Sequence, residues 1–182
     1  GNRQALFDHS LAKRLQPAVA ARAGIVSAYF AARGLTGARR VAEGQAGLFA
    51  LYGSHPDAIP DGNELARRPV TWEVERLSYK AYACCGASHP LIRAAVDLTV
   101  DHDLSLSEIV DAELFGVNNP FAGIPWDPEH PTQEQAQFCA PYQVAAAIKY
   151  RRLGPFEVAT ATITVDRDVS EAAQRMSVAA DN

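Results

Sequence analysis

Three short segments of this chain carry side chains that could hold an anion or move a proton. They are Lys80-Ala81-Tyr82-Ala83-Cys84-Cys85-Gly86-Ala87-Ser88-His89-Pro90, Lys13-Arg14-Leu15-Gln16-Pro17 upstream, and Gln137-Phe138-Cys139-Ala140-Pro141-Tyr142 downstream. In each, an ionisable or phenolic side chain stands near a proline of the kind that opens a helix. Helix starts leave N–H groups unpaired and present the positive end of the macrodipole, so they attract anions. A lysine, a histidine and a tyrosine at such places predict a site for a small carboxylate.

Each candidate has an ordinary alternative. Lys13 could grip a carboxylate as a point charge, or be a solvated surface lysine. His89 opens a helix whose dipole favours the neutral imidazole, the form that accepts a proton; it could equally bond only to its own loop. Tyr142 lies in an apolar stretch and needs a partner for its hydroxyl, either a substrate oxygen or a backbone carbonyl. Lys80 and Tyr82 are weaker candidates of the same kind. His55, His102 and His130 fall in polar loops and His9 just precedes the Lys13 segment, so no pair has a ligand spacing and no metal site is expected. Cys84, Cys85 and Cys139 read as reduced thiols, since neither a zinc spacing nor a disulfide framework is present.

Composition narrows the classes. With net charge −4 and no basic stripe, nucleic acid is excluded as a partner, and an anionic substrate must be held by a few local cations. No run reaches the roughly 18 apolar residues of a membrane span, and no leader is visible, so a cytoplasmic location is expected. Neither G-x-G-x-x-G nor a P-loop occurs, so no nucleotide cofactor is implied, and cofactors are expected to be none. The opening Gly1-Asn2-Arg3 lacks an initiating Met, and the reading is that the chain is a fragment.

The elements that must position these residues follow from periodicity. Leu15, Val19, Ala23, Val26 and Phe30 make one stripe, predicting a helix over Pro17–Arg33 stopped by Gly34. A second helix is predicted over Ala42–Leu51, closed by Gly53, then a Pro-rich loop over Ser54–Pro69. Thr71–Leu77 reads as a strand. Ser88 is expected to cap a helix to about Val100 with Leu91, Ile92, Ala95, Val96 and Leu98 buried. Ser107–Phe115 reads as a strand or a helix, and Asn118–Pro131 as an extended loop. Thr132 with Gln135 predicts a capping box, and Pro141 interrupts or restarts that helix before it runs on to about Arg152. Val158–Val165 reads as a strand and Val169–Arg175 as a helix, followed by a terminal strand without an evident partner. The fold class is α+β: residues 1–75 as the end of an all-helical domain, and 76–182 as a smaller, truncated α+β lid.

The same residues, taken in order, resemble the MmgE/PrpD family. The resemblance rests on Lys13-Arg-Leu-Gln-Pro-Ala-Val-Ala-Ala, on Tyr82-Ala-Cys-Cys…His89-Pro…Ala-Ala95, and on Glu134…Ala136-Gln-Phe…Pro-Tyr142…Val-Ala-Ala146; Gly34-Leu-Thr-Gly37-Ala-Arg…Glu43-Gly also fits. That family includes 2-methylcitrate dehydratase, cis-aconitate decarboxylase and iminodisuccinate epimerase. The resemblance implies metal-free, cofactor-free proton chemistry on small di- and tricarboxylates, in a cleft between a helical domain and a lid. It implies that Lys13 grips a carboxylate, that His89 is an acid/base or electrostatic partner, and that Tyr142 supplies a hydroxyl, with Gln16, Lys80 and Tyr82 as substrate-binding residues. Gln16 stands where many members carry histidine. The family's other catalytic groups lie on N-terminal helices without counterpart here, which implies a missing N-terminal helical half, inactivity of this chain alone and a homodimer when complete. Dehydratase-like lyase, epimerase or isomerase, and a non-catalytic binding module that kept the fold are the three readings.

Overall fold

The computed structural model of the protein describes residues 4–8, 10–53, 73–116 and 122–179. Its architecture is α+β, with helices dominant and one small two-stranded sheet. The chain divides into two compact units, Pro17–Ser78 and a larger one made of Gly1–Gln16 with Tyr79–Asn182. The predicted loop over Ser54–Pro69, together with His9 and His55, lies outside the described residues.

A short helix α1 (Gln4–Phe7) precedes α2 (Ala12–Ala31). Helix α2 begins five residues before the predicted start, so Pro17 lies inside it rather than in its first turn. The Ser10 hydroxyl accepts from the Ala12 N–H, and Lys13 and Arg14 N–H groups bond to the Ser10 and Leu11 carbonyls, which opens the helix early. Pro17 then costs a single backbone bond near the N-terminal end, where the ladder is only beginning. At the other end the prediction holds. Gly34 takes φ +88°, and the Leu35 N–H reaches back to the Phe30 carbonyl, a six-residue closure that needs a residue without Cβ. Helix α3 (Leu48–Tyr52) is shorter than predicted because turns containing Gly44 and Gly47 precede it. The described part of Thr71–Leu77 is a 3-10 turn, Glu73–Arg76, not a strand. A strand needs a neighbour for its backbone groups, and the two strands among the described residues pair with each other.

The larger unit is built around α6. Its helices are α4 (His89–His102), α5 (Gln133–Phe138), α6 (Ala140–Tyr150), α7 (Thr160–Ile163) and α8 (Arg167–Gln174). Every residue of α6 from Ala140 to Ile148 is buried. Ala145, Ala146 and Ala147 carry no side chain beyond Cβ, which lets α4 and α8 pack closely on it. Helix α4 buries Ile92, Ala95 and Thr99, and the Thr99 hydroxyl donates to the Ala95 carbonyl at 2.6 Å. Leu98, predicted to be buried, is 54% exposed. Helix α4 also extends to His102, which is helical rather than in a loop. Its N-cap position is Ser88, yet the hydroxyl makes no cap bond and a 3-10 turn, Gly86–Ser88, leads in instead.

Helices α5 and α6 meet at Cys139, which caps α6 by accepting the Tyr142 N–H at its Sγ (3.5 Å), so Pro141 restarts a helix rather than interrupting one. Thr132 caps α5 by accepting from the Gln135 N–H, but the Gln135 amide donates to the Pro125 carbonyl at 3.1 Å, leaving the expected capping box half formed. Val158–Val165 is not a strand. Thr162 and Thr164 hydroxyls donate to the Phe156 and Thr160 carbonyls, local bonds that favour the turn α7. Asp166 caps α8 by accepting from the Val169 N–H (3.3 Å).

Strands β1 (Ala112–Leu114) and β2 (Met176–Val178) pair in parallel, with Ala112 opposite Met176 and Leu114 opposite Val178. The Ser107–Phe115 segment thus divides into a strand and a preceding 3-10 turn, Leu106–Glu108, closed by a reciprocal bond pair between Ser105 and Glu108. The terminal strand has a partner after all. That partner lies upstream in sequence.

Candidate functional site

Among the described residues of the larger unit, two of the hollows could admit a small molecule. The bigger, of about 740 Å³, is lined in part by Lys149, Arg151, Asp168 and Asp103. Its lysine and one of its arginines are already matched, Lys149 to Asp166 and Asp168, and Arg151 to Asp103. The smaller, of about 470 Å³, is lined by Lys13, Lys80, Tyr82, Phe138, Gly154 and others. Two of the chain's three lysines face it, and among the described residues neither has a carboxylate within salt-bridge distance. Arg175 of the first hollow also has no carboxylate partner among the described residues, but the second hollow brings two unmatched cations together.

Local backbone geometry explains how these side chains converge. Lys13 sits in the first turn of α2, with its ammonium 4.5 Å from the centre of the Phe138 ring on α5. The segment around Lys80–Cys85 is held on both sides. The Ala83 N–H bonds to the Leu153 carbonyl (3.4 Å) and the Cys85 N–H to the Gln137 carbonyl (2.8 Å). Lys80 Nζ donates to the Cys84 carbonyl at 2.8 Å, which folds its long side chain back over its own loop. Gly154 and Pro155 close the far wall.

Electrostatics mark Lys13 as the strained member. Burial, then the nearby Lys80 and Arg14 charges, pull its ammonium below the usual 10.5, while Cys85 and Glu134 act in the opposite sense. Two cations crowded in one partly buried space repel each other and are poorly solvated, and negative charge placed between them would relieve both. Cys84, by contrast, is pushed up to about 12 by burial, so its thiol is not a nucleophile near neutral pH.

Of the residues expected from sequence, Lys13, Lys80 and Tyr82 come together in this hollow. His89 does not line it. Its ring meets the Tyr82 ring edge-on, centroids 5.2 Å apart, so it stands behind the tyrosine. His89 Nε2 is buried and has no hydrogen-bond partner among the described residues, an arrangement that costs about 1–3 kcal/mol unless a ligand or water supplies one. Gln16 is half-buried one turn beyond Lys13 and does not line the hollow.

Tyr142 is elsewhere. It is fully buried, stacked on Trp126 at 4.2 Å, and its hydroxyl donates to the Glu157 carbonyl at 2.8 Å. Burial, then the Asp166, Tyr150 and Glu157 groups, push its phenol above the usual 10. Its link to the hollow is indirect: the Glu157 carboxylate accepts from the Gly154 N–H (2.7 Å) and from Arg152 (2.8 Å), and Gly154 is part of the wall. Burial opposes ionisation of Glu157, yet those bonds hold its carboxyl below the usual range.

Phe138, Gly154 and Pro155 were not anticipated as lining residues. No local signal in the sequence says that Gly154 and Pro155 face Lys80. Among the described residues no group of three or more His, Cys, Asp or Glu side chains is placed to hold a metal ion. Nor, among them, is any helix long and apolar enough to cross a membrane.

A family model described as the MmgE/PrpD C-terminal domain matches residues 82–182. The match takes in Tyr82, His89 and Tyr142 and stops short of Lys80 and Lys13. No curated protein matches the chain.

Proposed function

Because the chain belongs to the MmgE/PrpD family, we propose that its lysine-lined hollow is one wall of a site that binds a small di- or tricarboxylate for proton abstraction. The observation that carries this reading is the convergence of Lys13 and Lys80, neither paired with a carboxylate among the described residues, on one cavity of about 470 Å³. In it each ammonium takes one substrate carboxylate, and Tyr82 gives the hydroxyl nearest the bound molecule. His89, whose Nε2 lacks a partner among the described residues, accepts or returns a proton in this reading where the bound molecule reaches past Tyr82, since His89 itself stands behind that ring and outside the hollow's lining. The positive field of the two lysines would also stabilise the enolate-like charge that develops when a C–H beside a carboxylate is broken. Tyr142 acts through the Glu157 and Gly154 wall in this reading, not by touching substrate.

Departure of the hydroxyl on the neighbouring carbon, as water, after that proton transfer would make the complete enzyme a lyase of the 2-methylcitrate dehydratase kind; in a decarboxylation the proton would instead pass to the substrate, quenching the carbanion that loss of CO2 leaves. Return of the proton to the opposite face would make it an epimerase. The reading keeps the chain a partial site, completed by an N-terminal helical half in a cytoplasmic homodimer that needs no cofactor.

The test is proton NMR of the chain in D2O with citrate, 2-methylcitrate, cis-aconitate and iminodisuccinate. Binding should perturb signals of Tyr82 and His89 and weaken about tenfold in Lys13→Ala and in Lys80→Ala, the size of one charge-assisted contact. Failure of all four compounds to perturb those signals would overturn the reading. C–H exchange or turnover abolished by His89→Ala would show that the chain holds a whole site, overturning only the claim that it is partial.

A further inference from the structure

We infer that Arg14 is a positioning residue: it fastens the start of α2 to α5 and thereby holds the Lys13 ammonium over Phe138 at the mouth of the lysine-lined hollow. The inference rests on the carboxylate-site reading only for its functional consequence. The geometry stands apart from it.

All three faces of the Arg14 guanidinium are used against one six-residue helix. Nη1 donates to Gln133 Oε1 and Nη2 to Gln137 Oε1, each at 3.0 Å. Nε lies 3.0 Å from Glu134 Oε1, an ion pair without the alignment of a hydrogen bond. Gln133 and Gln137 are one turn apart, so the planar fork spans a full turn of α5. Glu134 is 7% exposed in its side chain, whereas Arg14 is 42% exposed. A carboxylate so enclosed needs a cation beside it, and Arg14 is the cation that the described residues place there.

The contacts form consecutive rungs. Arg14 meets Gln137, and the adjacent Lys13 meets the adjacent Phe138. Sliding or rotating the start of α2 by one residue would break both rungs together. A lysine by itself has four rotatable bonds and is strongly hydrated, so a 4.5 Å approach to a ring does not persist without a fixed backbone beneath it. Arg14 supplies that fixity. The residue that sets where the anion-gripping charge stands is therefore the one beside it, with no contact to the ligand.

The experiment uses the whole chain with its lysines reductively methylated with 13C, which keeps their charge. Lys13, Lys80 and Lys149 are the chain's lysines, and Lys13→Arg identifies the first signal by its disappearance. In the unsubstituted chain the Lys13 methyl signal should be moved upfield by the Phe138 ring. In Arg14→Ala and in Arg14→Lys, which keeps the charge, lacks the fork and adds a lysine signal told from that of Lys13 by introducing Lys13→Arg in the same background, it should return to the position of a solvated lysine. Citrate binding should then weaken roughly tenfold, the equivalent of one charged contact. The Lys149 signal, unmoved, reports that the fold persists; where Arg14→Ala disturbs it, Arg14→Lys decides. A Lys13 signal that keeps its upfield position in either folded variant overturns the inference. Absence of citrate binding in the unsubstituted chain would sink the carboxylate reading instead, with the Lys13 signal still deciding the role of Arg14.

Discussion

Asp103 and Arg151 close the helices α4 and α6 in the same way and are joined to each other. Both take left-handed backbone angles, φ 50° and 55°, and the Arg151 guanidinium donates to the Asp103 carboxylate. A non-glycine residue in that region costs about 1–2 kcal/mol. The exposed ion pair that links them returns only about 0–1 kcal/mol. Arg151→Gly should therefore raise stability by roughly 0.5 kcal/mol in urea unfolding. A loss of stability instead would mean that the pair outweighs the backbone strain.

Lys13 should impose a pH dependence of its own. Its folded value is lowered below 10.5, so between the folded and unfolded values the unfolded chain binds more protons. Stability must then rise with pH through that window, and Lys13→Met should flatten the rise. Citrate affinity should move the other way, falling as the ammonium is lost, with an inflection below 10.5. An inflection at or above the ordinary lysine value would contradict the crowding described for Lys13 and Lys80.

Asp166 should govern the acid limb. Burial raises its carboxyl, but bonds from Lys149, Tyr150 and the Val169 N–H outweigh burial and hold it below 3.8. A depressed folded value means that its stabilisation is present above 3.8 and disappears as pH falls through the folded value. Asp166→Asn should cost roughly 2 kcal/mol at neutral pH and make the acid limb shallower. Equal acid slopes in the two proteins, followed by circular dichroism, would rule this out.

Tyr142→Phe separates a buttress from a substrate contact. Removing the hydroxyl leaves the Glu157 carbonyl without its partner, for a loss of about 1–2 kcal/mol. Citrate affinity measured below the unfolding transition should stay within about twofold of the unsubstituted chain. The opposite pattern, full stability with weakened binding, would return Tyr142 to the substrate.

Several features of both units were legible because their signals are local. Gly34 announced a left-handed stop, and Pro141 announced either an interruption or a restart, between which the Cys139 cap decides. The clustering of Lys13 with Lys80 and Tyr82 was legible as a resemblance but not as a geometry. It depends on the Cys85 N–H finding the Gln137 carbonyl and the Ala83 N–H finding the Leu153 carbonyl, pairings that no spacing encodes. The misread strand at Val158–Val165 has a plain cause. Its threonines satisfy carbonyls a few residues away, so β propensity lost to side-chain bonds. Tyr142 was ambiguous for a similar reason, since a buried hydroxyl looks the same in sequence whether its partner is a ligand or a backbone.

The parallel pairing of β1 with β2 has a consequence for synthesis. Ala112 leaves the ribosome about sixty residues before Met176, so α4, α5 and α6 must wait beside an unpaired edge while the partner strand is made. During that interval the edge of β1 is open to wrong pairing with a neighbour on the same message. The brevity of β1, three residues with Glu113 exposed at its centre, limits what such an encounter could hold.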